Sequence, residues 1–230
     1  MTPVVEIKVM SSAAFRPAYI QLVPQFERAS GHKVTTLWAL TVDMLNRLKA
    51  GEIVDLVIMA SNSIDELIKL GKLAPGSRVD LARCGIGVAV RAGASRPDIS
   101  SVERFKHTLL AAKSIAYSTG PSGVYLAGLF ERLGLADELK SKIRQIKGDS
   151  IGAVVARGQA EIGFQQVSEL LPVAGIDYLG PLPAAIQEVT VFSSGLHAGA
   201  KEPDAAKALV KFLTSLEAVA IIKQSGMEPG

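Results

Sequence analysis

Cysteine is nearly missing from this sequence: Cys84 is the only one in 230 residues. A single thiol forms no intramolecular disulfide, and it excludes a structural zinc site built on four cysteines or on two cysteines with two histidines. Aromatic residues are scarce too, at 5% with one tryptophan, Trp38, which argues against a stacking platform for single-stranded nucleic acid. Charge of neither sign is concentrated. The 25 Lys and Arg against 22 Asp and Glu leave a net +3, with no dense basic run to mark a nucleic-acid or membrane surface. No apolar run approaches the roughly 18 residues of a spanning helix. The stretch from Ile53 to Ala60 is short and holds Asp55. Neither nucleic-acid binding nor direct membrane insertion is expected. No leader is visible either: Met1-Thr2-Pro3 runs straight into strand-like sequence. That fits a cytoplasmic protein, or a chain whose first Met replaces a removed leader.

What is present is ample core material. The chain is 48% hydrophobic and 20% charged, and its 21 Gly and 11 Pro follow no period; this excludes disorder, collagen and coiled coil. Short β-rich runs alternate with helical spacing throughout. Val4 to Met10 reads as a strand, and Phe15, Tyr19, Leu22, Val23 and Phe26 then share a helical face that Gly31 ends, with Pro24 expected to kink or interrupt it. Val34 to Leu37 and the near-continuous apolar run Ile53 to Met59 read as further strands. Thr41 is expected to cap the helix between them, and Ser63-Ile64-Asp65-Glu66 to open the next one as a capping box. A second series follows the Pro75-Gly76 turn: strands at Gly85 to Arg91, Ser114 to Tyr117, near Gln145, Ile162 to Gln165 and Val189 to Ser193. Helices fall near Val102 to Ala112 (with a Ser100/Glu103 box), Val124 to Leu133, Asp137 to Ile143, Ile151 to Arg157, Asp204 to Leu213 and Glu217 to Gln224. Such alternation predicts an α/β fold of mostly parallel sheet flanked by helices.

One local design recurs. Four strand-to-helix turns carry Ser, Thr or Gly: Ser11-Ser12, Leu40-Thr41, Ser118 to Gly123, and Asp149-Ser150. Such a turn aims backbone N–H groups and a hydroxyl at a helix N-terminus, where the dipole favours an anion. In an open α/β sheet these turns lie at the carboxyl ends of the strands, where ligands bind. Each hydroxyl can equally be a helix cap and nothing more. Arg16 follows the first turn and offers a bidentate fork for a carboxylate, or a solvated helix start. Trp38 precedes the second turn and either walls a ligand site or packs in the core.

Other motifs are negative. No Walker phosphate loop occurs, Gly85-Ile86-Gly87-Val88-Ala89-Val90 lacks the third Gly of a dinucleotide fingerprint, and Val124 breaks a nucleophile elbow at Gly120-Pro121-Ser122-Gly123. His32, His107 and His197 are too dispersed for a local metal motif and read as surface residues; Cys84 reads as a small buried filler. No metal and no cofactor is expected.

The ordered set of segments resembles periplasmic molybdate-binding proteins. It comprises Ser11-Ser12-Ala13-Ala14-Phe15, Gln25-Phe26-Glu27, Gly31-His32-Lys33-Val34, Leu48-Lys49-Ala50-Gly51 and Val54-Asp55-Leu56-Val57-Ile58-Met59-Ala60. It continues with Gly120-Pro121-Ser122-Gly123-Val124-Tyr125, Leu133-Gly134, Gly152-Ala153-Val154-Val155 and Glu161-Ile162-Gly163-Phe164. The resemblance implies a two-lobed class II periplasmic-binding-protein fold, with lobe 1 at residues 1–80 plus 185–230, lobe 2 at 81–184, and the ligand in the interlobe cleft. Carried over residue by residue, it puts Ala14 where the family has its first serine ligand, with Ser11 and Ser12 beside it. Thr41 falls near the second serine, Ser122 and Ser150 at the two backbone donors, and Gln166 near the family's tyrosine.

The implied site is thus Ser11, Ser12, Thr41, Ser122, Ser150 and Gln166, modified by Arg16 and Trp38, and suited to a small carboxylate more than to molybdate. The implied protein is a monomeric, periplasmic receptor of a small anion that serves the membrane subunits of an ABC transporter. Bacterial aconitate isomerases look similar and carry the alternative, an isomerase of a small unsaturated tricarboxylate. That needs a base at the carbon acid and donors for the developing charge. Asp149 or a serine hydroxyl is the available base, and the helix N-terminus makes Asp149 a poor one. A third reading, the ligand-sensing domain of a transcriptional regulator, is weakened because no helix-turn-helix segment is found.

Overall fold

Residues 4–230 are described in a computed structural model; the reading of Met1-Thr2-Pro3 lies outside them. The chain divides into two units. Unit 1 takes the described residues up to Arg83 together with Val191–Gly230, and unit 2 is the contiguous segment Cys84–Thr190. The chain passes from one to the other within two long strands, β4 (Val79–Arg91) and β9 (Val189–Leu196).

Unit 1 opens with the predicted alternation: β1 (Glu6–Ser11), a 3-10 turn (Ala13–Phe15), α1 (Arg16–Ser30), β2 (Lys33–Trp38), α2 (Thr41–Lys49), β3 (Leu56–Ala60) and α3 (Ser61–Lys69). β1 pairs in parallel with β2 on one side and β3 on the other, and β3 pairs antiparallel with β9. All five residues of β3 are buried, which is why its sequence shows no polar alternation. Two late helices, α9 (Pro203–Leu213) and α10 (Leu216–Gln224), complete the unit, and the short β10 (Glu228–Pro229) pairs antiparallel with the first part of β4.

Several local expectations are corrected. α1 is continuous through Pro24. Leu22, Val23 and Phe26 are buried, and the Phe26 ring lies 5.8 Å from that of Phe212 on α9. The carbonyl that Pro24 leaves without a donor belongs to Ile20, which is exposed. The next one, Gln21 O, accepts from the Gln25 amide at 3.0 Å. Tertiary packing therefore carries the helix across its proline. Thr41 is the first residue of α2, not its cap; Leu40 holds the N-cap position. α3 starts at Ser61, two residues before the expected box, and α4 (Val102–Ala111) is capped by Ser101, whose hydroxyl accepts from Arg104 N at 3.2 Å. His197 is buried, with Nδ1 accepting from Gly199 N at 3.0 Å.

Asp55 was legible only as a polar interruption. It is buried, and its carboxylate accepts from Lys8 N at 2.8 Å, Lys201 N at 2.7 Å and Glu202 N at 2.9 Å. One side chain thereby ties β1 to the segment that enters α9.

Unit 2 repeats the plan. β5 (Ile115–Ser118) pairs in parallel with β6 (Ile143–Ile146) and β7 (Ile162–Gln166), and β7 pairs antiparallel with β4. α5 (Pro121–Arg132) follows β5, α7 (Ile151–Ala156) follows β6 and α8 (Val167–Leu170) follows β7. Its core gathers Ile86, Val88, Phe105, Ile115, Leu126, Phe130 and Phe164. The helix expected from Asp137 to Ile143 shrinks to α6 (Ala136–Leu139), because Ile143 is taken by β6. An unanticipated strand, β8 (Ile176–Pro181), lies antiparallel to β4.

Candidate functional site

In unit 1 the three parallel strands end along one edge, with β1 between β2 and β3. This carboxyl edge gathers Ser11, Ser12, Arg16, Trp38 and Thr41. Backbone bonds fix it: Ser12 N donates to Ile58 O at 3.0 Å and Ala39 N to Ser11 O at 3.2 Å. The serines at this turn are not equivalent. Ser11 is fully buried and its hydroxyl donates to Ser12 O at 3.1 Å. Ser12 is 7% exposed, makes no side-chain cap bond, and its Oγ is buried without a hydrogen-bond partner. A buried hydroxyl left unpaired costs about 1–3 kcal/mol. The turn keeps a donor and acceptor in place that nothing among the described residues uses. Thr41 stands first in α2, behind Leu40 at the N-cap, which has no side-chain cap bond.

Arg16, the first residue of α1, is exposed, and its Cζ lies 5.1 Å from the centroid of the half-buried Trp38 ring. Among the described residues no carboxylate pairs with it; the ion pairs of unit 1 involve Arg47, Lys49, Arg78 and Lys207. An arginine stacked on an indole keeps its in-plane donors available to a carboxylate. Sequence reading missed one further turn on this edge. β3 runs directly into α3 at Ala60 and Ser61, where Asn62 Oδ1 accepts from Ser63 N at 2.9 Å; the signal was Ser61-Asn62-Ser63 immediately after an apolar strand.

In unit 2 the carboxyl ends of β5, β6 and β7 form the corresponding edge, with β5 in the middle. Ser122 is the second residue of α5 and is buried. Its neighbour must be glycine: a Cβ on Gly123 would fall 1.6 Å from Ser118 O, so the turn wraps onto the end of β5 more tightly than any side chain allows. Ser150 is spoken for. Its Oγ caps α7 by accepting from Ala153 N at 3.4 Å, and its N–H donates to Asp149 Oδ1 at 2.8 Å. Gln166 is buried, and its amide is consumed within the unit: Nε2 donates to the Cys84 and Gly85 carbonyls at 3.1 Å each, and Oε1 accepts from the Thr190 hydroxyl at 3.0 Å. That arrangement makes it a lock between β7 and β4.

Two groups beside Gln166 escaped the sequence. Gln165 is buried; its Oε1 accepts from Ile151 N at 3.0 Å and its Nε2 donates to Glu169 Oε1 at 2.9 Å. Burial pushes the Glu169 carboxyl up from 4.5 to about 7, against the lowering effect of the Gln165 bond. The Cys84 thiol is also pushed up by burial, offset in part by its contact with Ser168, so it is no reactive thiolate. Among the described residues no group of three or more His, Cys, Asp or Glu is placed to hold a metal ion, and no helix is long and apolar enough to cross a membrane.

Comparison with known proteins gives a family, two relatives and a solved structure of the same fold. The family model described as bacterial extracellular solute-binding protein matches residues 7–228. An aconitate isomerase from Pseudomonas sp is 40% identical over 233 residues, covering 99% of this chain and 89% of that protein. The molybdate-binding protein ModA from Azotobacter vinelandii is 29% identical over 238 residues, covering 96% of this chain and 89% of that protein. Among solved structures, the periplasmic molybdate-binding protein of Azotobacter vinelandii superposes with a TM-score of 0.81 at 24% identity, covering 97% of this chain and 99% of that one.

Proposed function

The chain belongs to the bacterial extracellular solute-binding protein family, and from that premise we propose that it binds a small di- or tricarboxylate. The observation that carries this reading is the pairing on the edge of unit 1 of a buried hydroxyl without a partner, Ser12 Oγ, and a guanidinium stacked on Trp38 without a carboxylate. Hydroxyls and helix-start amides suit any oxyanion. A stacked arginine fork adds a planar, bidentate preference that matches carboxylate geometry. Ala14, where the molybdate-binding pattern has a serine, removes one ligand for a tetrahedral anion. The proposal includes a periplasmic location and delivery to the membrane subunits of an ABC transporter.

A second reading is favoured by the 40% identity with an aconitate isomerase across nearly the whole chain: isomerisation of a small unsaturated tricarboxylate. One carbon loses a proton, the double bond shifts, and the proton returns at the other end of the allyl system, so no oxidant or reductant is needed. In this reading the proton acceptor is Glu169, which lies in α8 just past the carboxyl end of β7 and is bonded by Gln165 at 2.9 Å. A carboxyl near 7 is poised for proton transfer at neutral pH. Asp149 is worse suited, because Ser150 N occupies one oxygen at 2.8 Å and Arg157 Nη2 the other at 2.5 Å.

The test is a thermal-shift panel of citrate, cis-aconitate and trans-aconitate against molybdate, tungstate and sulfate. A ligand at a hundredfold excess over its Kd stabilises by about 2.7 kcal/mol, which raises the midpoint by roughly 5–10 °C for a chain of this size. Shifts with the carboxylates are expected; shifts with molybdate or tungstate alone overturn the reading. Conversion of trans-aconitate in excess over protein, followed by absorbance, selects the isomerase over the receptor.

A further inference from the structure

Two sequence spacings meet on the edge of unit 1. Arg16 and Tyr19 stand three apart on α1 and share a helix face; Thr36 and Trp38 stand two apart on β2 and share a sheet face. The four side chains are linked in a row, Arg16 to Trp38 to Tyr19 to Thr36. The Arg16 guanidinium covers the Trp38 ring at 5.1 Å, and the Tyr19 ring meets Trp38 edge-on at 5.3 Å and 86°. The Tyr19 hydroxyl and Thr36 Oγ1 are hydrogen-bonded at 2.8 Å. Tyr19 is 2% exposed, so its hydroxyl needs a partner and Thr36 supplies it. The indole is thus held by an edge-on contact with a fixed phenol and carries the guanidinium over its ring.

We propose that Tyr19 and Thr36 are positioning residues for Arg16: acting through Trp38, they hold its guanidinium over the indole, and so set how tightly the edge takes a planar carboxylate. This rests on the reading that the edge of unit 1 binds a small di- or tricarboxylate. A free arginine side chain loses rotamer freedom when it is immobilised on a ligand. Stacking removes part of that loss before the ligand arrives, and it does so only while the ring beneath is itself fixed. Neither Tyr19 nor Thr36 touches the ligand on this account. Their effect passes through one hydrogen bond and one edge-on ring contact.

The experiment compares Tyr19→Phe, Thr36→Val, Arg16→Lys and the double variant Tyr19→Phe/Arg16→Lys by calorimetric titration with citrate and trans-aconitate. Thermal melts are run first, and if Tyr19→Phe does not fold, Thr36→Val and its double with Arg16→Lys take its place. Tyr19→Phe and Thr36→Val are each expected to weaken binding roughly five- to tenfold. In the Arg16→Lys background, which keeps the charge but lacks the fork, Tyr19→Phe is expected to have no further effect. A merely structural role would weaken both backgrounds equally, and that result overturns the proposal. Wild-type affinity in Tyr19→Phe and Thr36→Val alongside clear loss in Arg16→Lys also overturns it, while leaving the carboxylate reading intact. If the unaltered chain takes neither citrate nor trans-aconitate, the carboxylate reading itself falls, and the proposal with it.

Discussion

Gln165 and Glu169 are joined by a 2.9 Å hydrogen bond from the glutamine amide nitrogen to Glu169 Oε1, while the same amide's oxygen takes the Ile151 N–H at 3.0 Å. Both ends of the amide are therefore fixed, and a half-buried carboxyl is linked to the first turn of α7 beside Ser150. The bond supports the carboxylate form, yet burial outweighs it and leaves the group titrating at about 7.

That balance predicts a stability profile. Glu169 ionises at about 4.5 when unfolded and about 7 when folded. Below the lower value both states hold the proton and the site carries no penalty. Between the two the unfolded chain sheds its proton while the folded chain keeps it, so stability falls as pH rises; above the upper value the full cost is present. Glu169→Gln keeps an acceptor for Gln165 and removes the charge. Urea melts from pH 4.5 to 8.5 should show the variant level with wild type at the acid end and more stable by about 2–3 kcal/mol at the alkaline end. Parallel curves would show that the carboxyl is not shifted.

Ser12 and Ser150 should respond oppositely to the same substitution. Ser12→Ala removes a buried hydroxyl that has no partner and should stabilise the ligand-free protein by about 1 kcal/mol, while weakening the affinity for its anion by a similar amount. Ser150→Ala removes the cap of α7 and should destabilise by about 1 kcal/mol. Melts with and without citrate read both effects. A Ser12→Ala protein that is less stable and binds citrate equally well would assign the hydroxyl to the core alone.

Asp55→Asn places an amide where three backbone N–H groups converge. At least one of them then faces another donor, and stability should fall by about 2–4 kcal/mol in urea melts. Hydrogen exchange should localise the loss to the start of β1 and the segment entering α9. A fall under about 0.5 kcal/mol, the range of ordinary surface substitutions, would mean that the staple is dispensable.

The alternation of strand and helix could be read from period alone wherever an element is buried on a consistent face, as in β3 and α1. It failed where a tertiary partner decides. Ile176 to Pro181 has no clean alternation, and only pairing with β4 makes it a strand. Pro24 should break α1 by local rules, but the buried contacts of Leu22, Val23 and Phe26 outweigh one lost hydrogen bond. For the candidate site, the strand-to-helix turns were visible as Ser- and Thr-bearing segments, yet the sequence gives no means to tell a hydroxyl that caps, such as Ser150, from one left unpaired, such as Ser12. That difference lies in whether a backbone N–H comes within reach of the hydroxyl, as Ala153 N does for Ser150 and none does for Ser12. The Arg16, Tyr19, Thr36 and Trp38 array was hidden for another reason: each pair has the right spacing, but nothing in the chain announces that α1 lies against β2 at that register.

Unit 2 is one uninterrupted segment, whereas unit 1 is split around it. During synthesis the unit that starts first is therefore the one that finishes last. Residues 84–190 can close their sheet as soon as they leave the ribosome, while β3 still lacks β9, its antiparallel partner. The Asp55 carboxylate waits even longer, until Lys201 and Glu202 are made. For roughly 140 residues of elongation, at about 5–20 residues per second, β3 is thus exposed along the edge that β9 later covers, in addition to the edge that β2 keeps in the finished sheet.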